Sequence, residues 1–149
     1  MSQTEAAGSG QPTGTTVFSY DPEYRLLTAD YPGTSDDEAY SYDKVGNRKT
    51  LTQGALTLTA NSLFYSYNAG NWLTGIKKAS ATPPFTGTGP VYESYLYDPN
   101  GSLLKITGNR KLTLTWDANN RVSKLNTTSY DYDPAGYRNN KAIRHWIKM

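Results

Sequence analysis

Aromatic and polar residues alternate in short runs along this chain, and one run returns six times. It reads aromatic or apolar residue, any residue, aromatic residue, then Asp or Asn. Side chains two residues apart share a face of an extended strand, so the alternation predicts half-buried β-strands. Recurrence at intervals of roughly twenty residues indicates a repeat architecture. The copies are Phe18-Ser19-Tyr20-Asp21, Tyr40-Ser41-Tyr42-Asp43, Tyr65-Ser66-Tyr67-Asn68, Tyr95-Leu96-Tyr97-Asp98, Leu114-Thr115-Trp116-Asp117 and Tyr130-Asp131-Tyr132-Asp133.

The Asp or Asn that closes each run, called here the acidic position, starts a predicted hairpin turn. Its side chain can accept a backbone N–H two residues further on. The third residue after it is Gly or Asn in five of the six copies, and these types tolerate positive φ. In the first copy Tyr24 stands there, and we expect a different or strained turn. The predicted turn-forming residues are Asp21, Asp43, Gly46, Asn68, Asn71, Asp98, Gly101, Asp117, Asn120, Asp133 and Gly136.

Apolar residues after the turns predict return strands. They stand five and eight positions after the acidic position, as Leu73 with Ile76, Leu103 with Ile106, and Val122 with Leu125. The sixth copy has Arg138 and Lys141 there, so we expect it to lack an apolar return strand and to cap or truncate the array.

Two further stretches carry a local prediction. The alternation of Leu and Thr over residues 55–59 predicts an additional half-buried strand. Residues 77–90, rich in Pro, Gly and Thr, predict a surface loop.

These patterns predict an all-β fold, an antiparallel meander of about ten to twelve short strands forming an open twisted sheet or partial shell. We expect a disordered segment over residues 1–16, a repeat domain over 17–141 and a short basic tail over 142–149. The repeat aromatics should form ladders on one face: Phe18, Tyr20, Tyr40, Tyr42, Tyr65, Tyr67, Tyr95, Tyr97, Trp116, Tyr130 and Tyr132.

Composition narrows the classes of function. The 149 residues include no Cys, which excludes disulfides and thiolate chemistry, and 13 Tyr against 3 Phe suit a half-exposed sheet face. No apolar run approaches the ~20 residues of a membrane-spanning helix. The first 14 residues lack the basic and apolar regions of a secretory signal.

Charge is divided unevenly along the chain. Residues 1–43 carry eight acidic residues and one basic residue, a net charge of −7, and the remainder has a net charge of +9. This division suggests that the two ends of the array carry opposite charge, although a solvated surface without a partner is an equally simple interpretation.

The motif Tyr40-Ser41-Tyr42-Asp43-Lys44-Val45-Gly46-Asn47-Arg48 resembles the YD repeat of the Rhs (rearrangement hotspot) family. Relatives of that family include the C components of insecticidal toxin complexes and the teneurins. The resemblance covers about residues 18–141. It implies strands wound into a sheet that, in full-length members, forms a hollow shell around a toxin, and an association with secretion or the cell surface.

Candidates for catalysis and metal binding are few. His145 is the single histidine, and a catalytic base needs a positioned partner. The segments Asp131-Tyr132-Asp133 and Asp98-Pro99-Asn100-Gly101 lack the ligand count of a calcium loop and are typical of turns. Residues 133–138 are similar to one half of the paired self-cleavage motif of some family members, without the second half. We therefore expect no enzyme, cofactor or metal.

A structural role is thus the favoured function: a scaffold or shell segment that associates with itself through strand edges or with the rest of a longer array. The alternative is a carbohydrate-binding module, because Tyr and Trp rings stack on sugars. Nucleic-acid binding is disfavoured by the acidic N-terminal third.

Overall fold

The computed structural model describes residues 2–3, 14–33 and 35–142, and the strand pairings within residues 2–78 and within residues 91–142 of this part are antiparallel. The predicted all-β antiparallel fold is therefore confirmed. The strands are β1 (Ser2–Gln3), β2 (Thr16–Tyr20), β3 (Leu26–Asp30), β4 (Glu38–Tyr42), β5 (Arg48–Gln53), β6 (Leu63–Tyr67), β7 (Leu73–Lys78), β8 (Val91–Tyr97), β9 (Leu103–Gly108), β10 (Leu112–Trp116), β11 (Val122–Leu125), β12 (Thr128–Tyr132) and β13 (Arg138–Ala142).

Each repeat copy forms one hairpin. Its aromatic strand and its return strand flank the acidic turn, so that β2 pairs with β3 and the pattern continues to β12 with β13. The chain divides into two compact units, residues 1–92 and 93–149. Within the described residues no helix is long and apolar enough to cross a membrane.

One register recurs in both units. The first aromatic of a copy opposes the residue eight after its acidic position, as Tyr65 opposes Ile76, and the second opposes the residue five after it, as Tyr67 opposes Leu73. In the first five copies the register shifts by one residue just before the second aromatic, which is a β-bulge. In the sixth copy the shift lies between Ser129 and Asp131. Within a hairpin each of these aromatics therefore faces an aliphatic or cationic residue across the strand. The other pairs are Phe18 with Ala29, Tyr20 with Leu26, Tyr40 with Leu51, Tyr42 with Arg48, Tyr95 with Ile106, Tyr97 with Leu103, Trp116 with Val122, and Tyr132 with Arg138.

The opposite face of the strands carries hydroxyl groups that bond across the hairpins. Ser19 and Thr28 lie 2.5 Å apart, Ser41 and Thr50 2.6 Å, and the Thr115 and Ser123 hydroxyls 3.0 Å. Both faces retain much exposure, and the buried apolar residues of the described chain are few: Ala29, Ile76, Ala79 and Ile106. Hydrogen bonds between strands must therefore contribute a large part of the stability of this fold.

The prediction of a strand over residues 55–59 is wrong. The segment lies in an irregular connection in which Leu56 and Leu58 remain exposed, and Thr52 and Ser62 join beneath it through buried hydroxyls 2.7 Å apart. The outer edge of β5 already pairs with β6, so the Leu–Thr alternation finds no free strand edge to extend.

One prediction at the N-terminal end of the array needs correction. Ser2–Gln3 pair with β2, whereas we expected disorder throughout residues 1–16, and residue 1 and residues 4–13 lie outside the described part. The sixth copy lacks an apolar return strand, as expected, and its return strand β13 has a polar sequence. Backbone pairing with β12 is sufficient to order it without an apolar face. The tail expected over 142–149 lies outside the described residues beyond Ala142.

Candidate functional site

The six acidic turns share one backbone geometry. The residue at the acidic position donates its N–H to the carbonyl four residues on, and its own carbonyl accepts the N–H three residues on. In the second copy these distances are 2.9 Å from Asp43 to Asn47 and 3.2 Å from Gly46 to Asp43. The same two bonds form at Asp21, Asn68, Asp98, Asp117 and Asp133.

The side chain at the acidic position adds further bonds to the turn. Asp98 Oδ1 accepts the N–H groups of Asn100 and Ser102, both at 2.9 Å. Asp117 makes the equivalent pair of bonds, and its Oδ2 also accepts Arg121 Nε at 2.7 Å. The backbone N–H of Arg121 is the main cause that lowers the pKa of Asp117, with the guanidinium adding to it. These oxygens are thus committed to holding the turns.

The residue three after the acidic position has a left-handed backbone in every copy. Gly46, Gly101 and Gly136 have φ of 92°, 87° and 87°, and Asn71 and Asn120 have φ of 60° and 56°. Tyr24 adopts φ of 61° and donates its N–H to Asp21 as its counterparts do. The expectation of a different turn in the first copy is therefore wrong. Its left-handed Tyr is nevertheless costly, and the ring gains little contact because 90% of the residue is exposed.

A set of bonds that sequence reasoning missed joins consecutive hairpins. Within each unit, the second aromatic of a copy donates a side-chain hydrogen bond to a carbonyl of the preceding copy, that of the residue five after the acidic position. We call each such bond a lock. The locks run from Tyr42 to Leu26 at 3.0 Å, from Tyr67 to Arg48 at 3.0 Å, from Trp116 to Leu103 at 2.9 Å and from Tyr132 to Val122 at 2.9 Å.

The locks explain why Tyr or Trp, and not Phe, occupies all five second-aromatic positions at which a copy follows another. Phe fills the same volume but has no hydrogen-bond donor. The preference for Tyr or Trp was the sequence signal that could have revealed the locks. The constant place of the acceptor, five residues after the acidic position, was a second signal, but in the sequence this position indicated only an apolar strand residue.

Guanidinium groups lie over several of the repeat rings. Arg25 lies 5.0 Å from the Tyr42 ring centroid and Arg121 lies 4.4 Å from that of Tyr132, so the arginine of one turn contacts the next copy. Arg25 also donates to the Asp43 carbonyl at 3.2 Å. Cation–π contacts of this kind add to the locks between neighbouring hairpins. Arg48 over Tyr65 and Arg138 over Tyr130 complete the set, at 4.4 and 5.2 Å.

A buried carboxylate forms the most polar cluster of the second unit. Glu93 is 2% exposed, and its two oxygens accept Arg110 Nε at 2.8 Å and Nη2 at 2.7 Å. Its Oε2 also accepts the Tyr95 hydroxyl at 2.5 Å. The Arg110 guanidinium is the main cause that lowers the pKa of Glu93 to about 2, and burial is the main cause that raises the pKa of Tyr95 to about 12.

The first unit contains a simpler version of this cluster. The Tyr40 hydroxyl donates to Glu38 Oε2 at 2.5 Å, and burial followed by this bond raises the pKa of Tyr40 to about 12. In both clusters the glutamate stands two residues before the first aromatic, on the same strand face. Sequence reasoning overlooked this spacing.

The remaining chemical candidates do not assemble into a site. Asp133 binds the N–H of Tyr137 in its turn at 2.9 Å, and Asp131 is exposed on β12. No group of three or more His, Asp or Glu residues that could hold a metal ion occurs in the described ranges. His145 lies outside them.

Comparison with known proteins agrees with this geometry. Residues 52–145 match the family described as "Teneurin YD-shell". The fold is similar to crystal structures of TcdB2-TccC3, one with Cdc42 and one without the hypervariable C-terminal region. Each comparison gives a TM-score of 0.54 and 18% identity, and covers 83% or 91% of this chain and 9% of the TcdB2-TccC3 chain.

Two curated relatives are also similar in sequence. They are tRNA nuclease WapA of Bacillus subtilis (strain 168) and tRNA3(Ser)-specific nuclease WapA of Bacillus spizizenii, each 31% identical over 113 residues. The match covers 70% of this chain, which spans 4% of the length of either relative. Six acidic turns of one geometry, four aromatic locks within the two units, and a family match over residues 52–145 show that the chain belongs to the YD-shell family of the Rhs type.

Proposed function

We propose that this chain is a non-catalytic wall segment of a toxin-associated YD shell, with residues 17–141 as its repeat domain. One observation carries the proposal: the acidic-position side chains, the lock aromatics and the buried Glu93 all make structural hydrogen bonds. The turn carboxylates hold backbone N–H groups, the second aromatics hold carbonyls, and Glu93 holds Arg110. The repeat aromatics and turn residues serve this network.

Nuclease activity is the enzymatic alternative, because WapA is named a tRNA nuclease. The chain spans only 4% of the length of that relative. Incubation of the purified chain with total bacterial tRNA in the presence of Mg²⁺, followed by denaturing gel electrophoresis, tests the assignment. We expect intact tRNA over hours at a large excess of protein. Cleavage that is lost when Asp131→Asn is introduced would overturn the non-catalytic role.

Carbohydrate binding is a second alternative, and the ring contacts speak against it. A sugar stacks on an open aromatic face, yet guanidinium groups lie over Tyr42, Tyr65, Tyr130 and Tyr132. We expect no change of intrinsic fluorescence across a glycan panel. A saturable change that Arg48→Ala strengthens, by opening the Tyr65 ring, would favour the carbohydrate-binding function instead.

The proposed segment associates with further copies or with the remainder of a longer array through its strand edges. The opposite net charges of residues 1–43 and 44–149 favour end-to-end contact. Absolute mass by light scattering after size exclusion, at low and at high salt, measures this association. Oligomers that dissociate as salt screens the charges support it, and a monomer under all conditions contradicts it.

A further inference from the structure

Within each unit, the backbone contact between consecutive hairpins is short and uses the same positions. In one copy, the residues four and five positions before the acidic position take part in this contact. They pair with the residues seven and eight positions after the acidic position of the preceding copy. We call this two-residue contact the junction. The junctions pair Ala39 and Glu38 with Thr28 and Ala29, Phe64 and Leu63 with Thr50 and Leu51, Thr113 and Leu112 with Lys105 and Ile106, and Ser129 and Thr128 with Lys124 and Leu125.

Strand β1 fills the junction of the first copy. The residues four and five before Asp21 are Val17 and Thr16, and they pair with Ser2 and Gln3. Two residues therefore occupy the position that a return strand of five or six residues, such as β3 or β5, occupies elsewhere. The N-terminal segment thus imitates the end of a preceding repeat.

This imitation is incomplete, because no lock accompanies it. Tyr20 is the second aromatic of the first copy, in the position of Tyr42 and Tyr67. It is 48% exposed, and among the described residues its hydroxyl makes no hydrogen bond, whereas those of Tyr42 and Tyr67 reach a carbonyl at 3.0 Å. The first copy therefore presents a lock donor without an acceptor.

The sixth copy presents the complementary arrangement. In the described chain β13 pairs on one side with β12 and no strand pairs with its outer edge. Arg138 of β13 stands five residues after Asp133, and in the other copies the carbonyl at this position accepts the lock. Residues 140–141 stand seven and eight residues after Asp133, as the junction residues of the other copies do. This edge offers the lock carbonyl and two backbone residues for pairing, with the register shift of this copy at residues 140–141 rather than nearer the turn.

We propose that β2 is a docking site for β13 of a second copy of this chain, and that β1 is a strand plug that this docking displaces. In the complex the backbone of residues 140–141 pairs with Val17 and Thr16, and the Tyr20 hydroxyl donates to the Arg138 carbonyl. The acidic first third and the basic remainder attract each other in this orientation. The contact joins two different edges, so it is heterologous and builds open chains or rings.

The inference rests on the proposed structural function, and two pairs of variants test it. Ser2→Pro with Gln3→Pro removes the backbone donors of the plug, and Ser2→Ala with Gln3→Ala keeps them as a control. Tyr20→Phe removes the lock donor, and Tyr24→Phe removes a hydroxyl from a residue that is 90% exposed. Sedimentation velocity over a range of concentrations and salt gives the association constants, and circular dichroism checks the fold of each variant.

We expect the double proline variant to associate more strongly than the wild type and the double alanine variant to match the wild type. Tyr20→Phe should weaken association about 2- to 10-fold, the effect of one hydrogen bond, and Tyr24→Phe should leave it unchanged. Monomers throughout, including the double proline variant, would overturn the docking site. Oligomers that neither the prolines nor Tyr20→Phe affect would also overturn it, while leaving self-association through another surface intact. The tRNA assay decides the non-catalytic role independently.

Discussion

Replacing Glu93 with Gln tests whether the buried carboxylate stabilises the second unit through its charge. The substitution keeps the size and one acceptor oxygen, and it removes the negative charge that Arg110 neutralises. The folded-state pKa of Glu93 is about 2, against an ordinary value of 4.5. A difference of about 2.5 pKa units corresponds to at most about 3.4 kcal/mol of unfolding free energy. Because the Arg110 side chain is 61% exposed, water weakens the pair, and we expect a loss of about 1–2 kcal/mol at neutral pH.

The pH dependence of this loss of stability shows whether the charge of Glu93 causes it. A carboxylate whose folded-state pKa lies below its unfolded-state value stabilises fully above the unfolded value and loses its effect as the pH falls through the folded value. The difference between wild type and Glu93→Gln should therefore be constant above about pH 5 and should disappear between about pH 4.5 and pH 2. Urea unfolding monitored by circular dichroism across this range measures it.

Glu38→Gln provides the matched control. Glu38 accepts a tyrosine hydroxyl at 2.5 Å as Glu93 does, but its second hydrogen-bond donor is the Gln53 amide at 3.3 Å rather than a guanidinium. We expect a smaller loss, below about 1 kcal/mol. A Glu93→Gln deficit that stays constant down to about pH 2, or one equal to that of Glu38→Gln, would refute the charge argument.

Three further substitutions follow from the turns, the locks and the loop. Tyr42→Phe removes one lock and should lower the unfolding free energy by about 0.5–1.5 kcal/mol, with Tyr24→Phe as a neutral control, measured by urea denaturation. Asp117→Ala should lower the melting temperature more than Asp117→Asn, because the amide still accepts the two turn N–H groups. Gly89→Ala should destabilise by about 1–3 kcal/mol or more, since its Cβ would lie 2.1 Å from the Ala79 carbonyl oxygen.

Each of these has a clear contrary result. Equal stability of Tyr42→Phe and Tyr24→Phe would show that the lock contributes nothing beyond the ring. A melting temperature that falls equally for both Asp117 variants would assign the effect to the Arg121 ion pair. A Gly89→Ala variant as stable as the wild type would show that residues 79–90 adjust freely.

The hairpins could be predicted because their determinants lie within a few residues of one another. Asp43 and Gly46 specify a turn by side-chain bonding and a left-handed backbone, and alternation specifies the strands on either side. The locks could not be predicted from neighbouring residues, because the Tyr42 hydroxyl bonds to the Leu26 carbonyl of a different hairpin. Every residue has a backbone carbonyl, so the identity of Leu26 does not mark it as the acceptor. The strand expected over residues 55–59 failed for a related reason: alternation shows that a segment can form a strand, not that an edge is free.

The scarcity of buried apolar residues leads to a last prediction, about how stability is distributed. A single two-stranded hairpin is marginal in water, so each copy depends on the junctions and locks with its neighbours. Within the first unit β5 has a paired strand on both sides, whereas β2 has only the two-residue β1 on its outer side. Within the second unit β10 is paired on both sides and β13 on one.

Amide hydrogen exchange should therefore be slower in β5 than in β2 and slower in β10 than in β13, by the free energy of the missing junction. Peptide-resolved mass spectrometry on a dilute sample, in which copies do not associate, measures both comparisons. Raising the protein concentration should then slow exchange in β2 and β13 alone, because docking of one copy on another supplies the absent neighbour to those two strands. Equal protection of inner and outer strands at low concentration would show that each hairpin is stable by itself, and the nearest-neighbour account of this fold would fail.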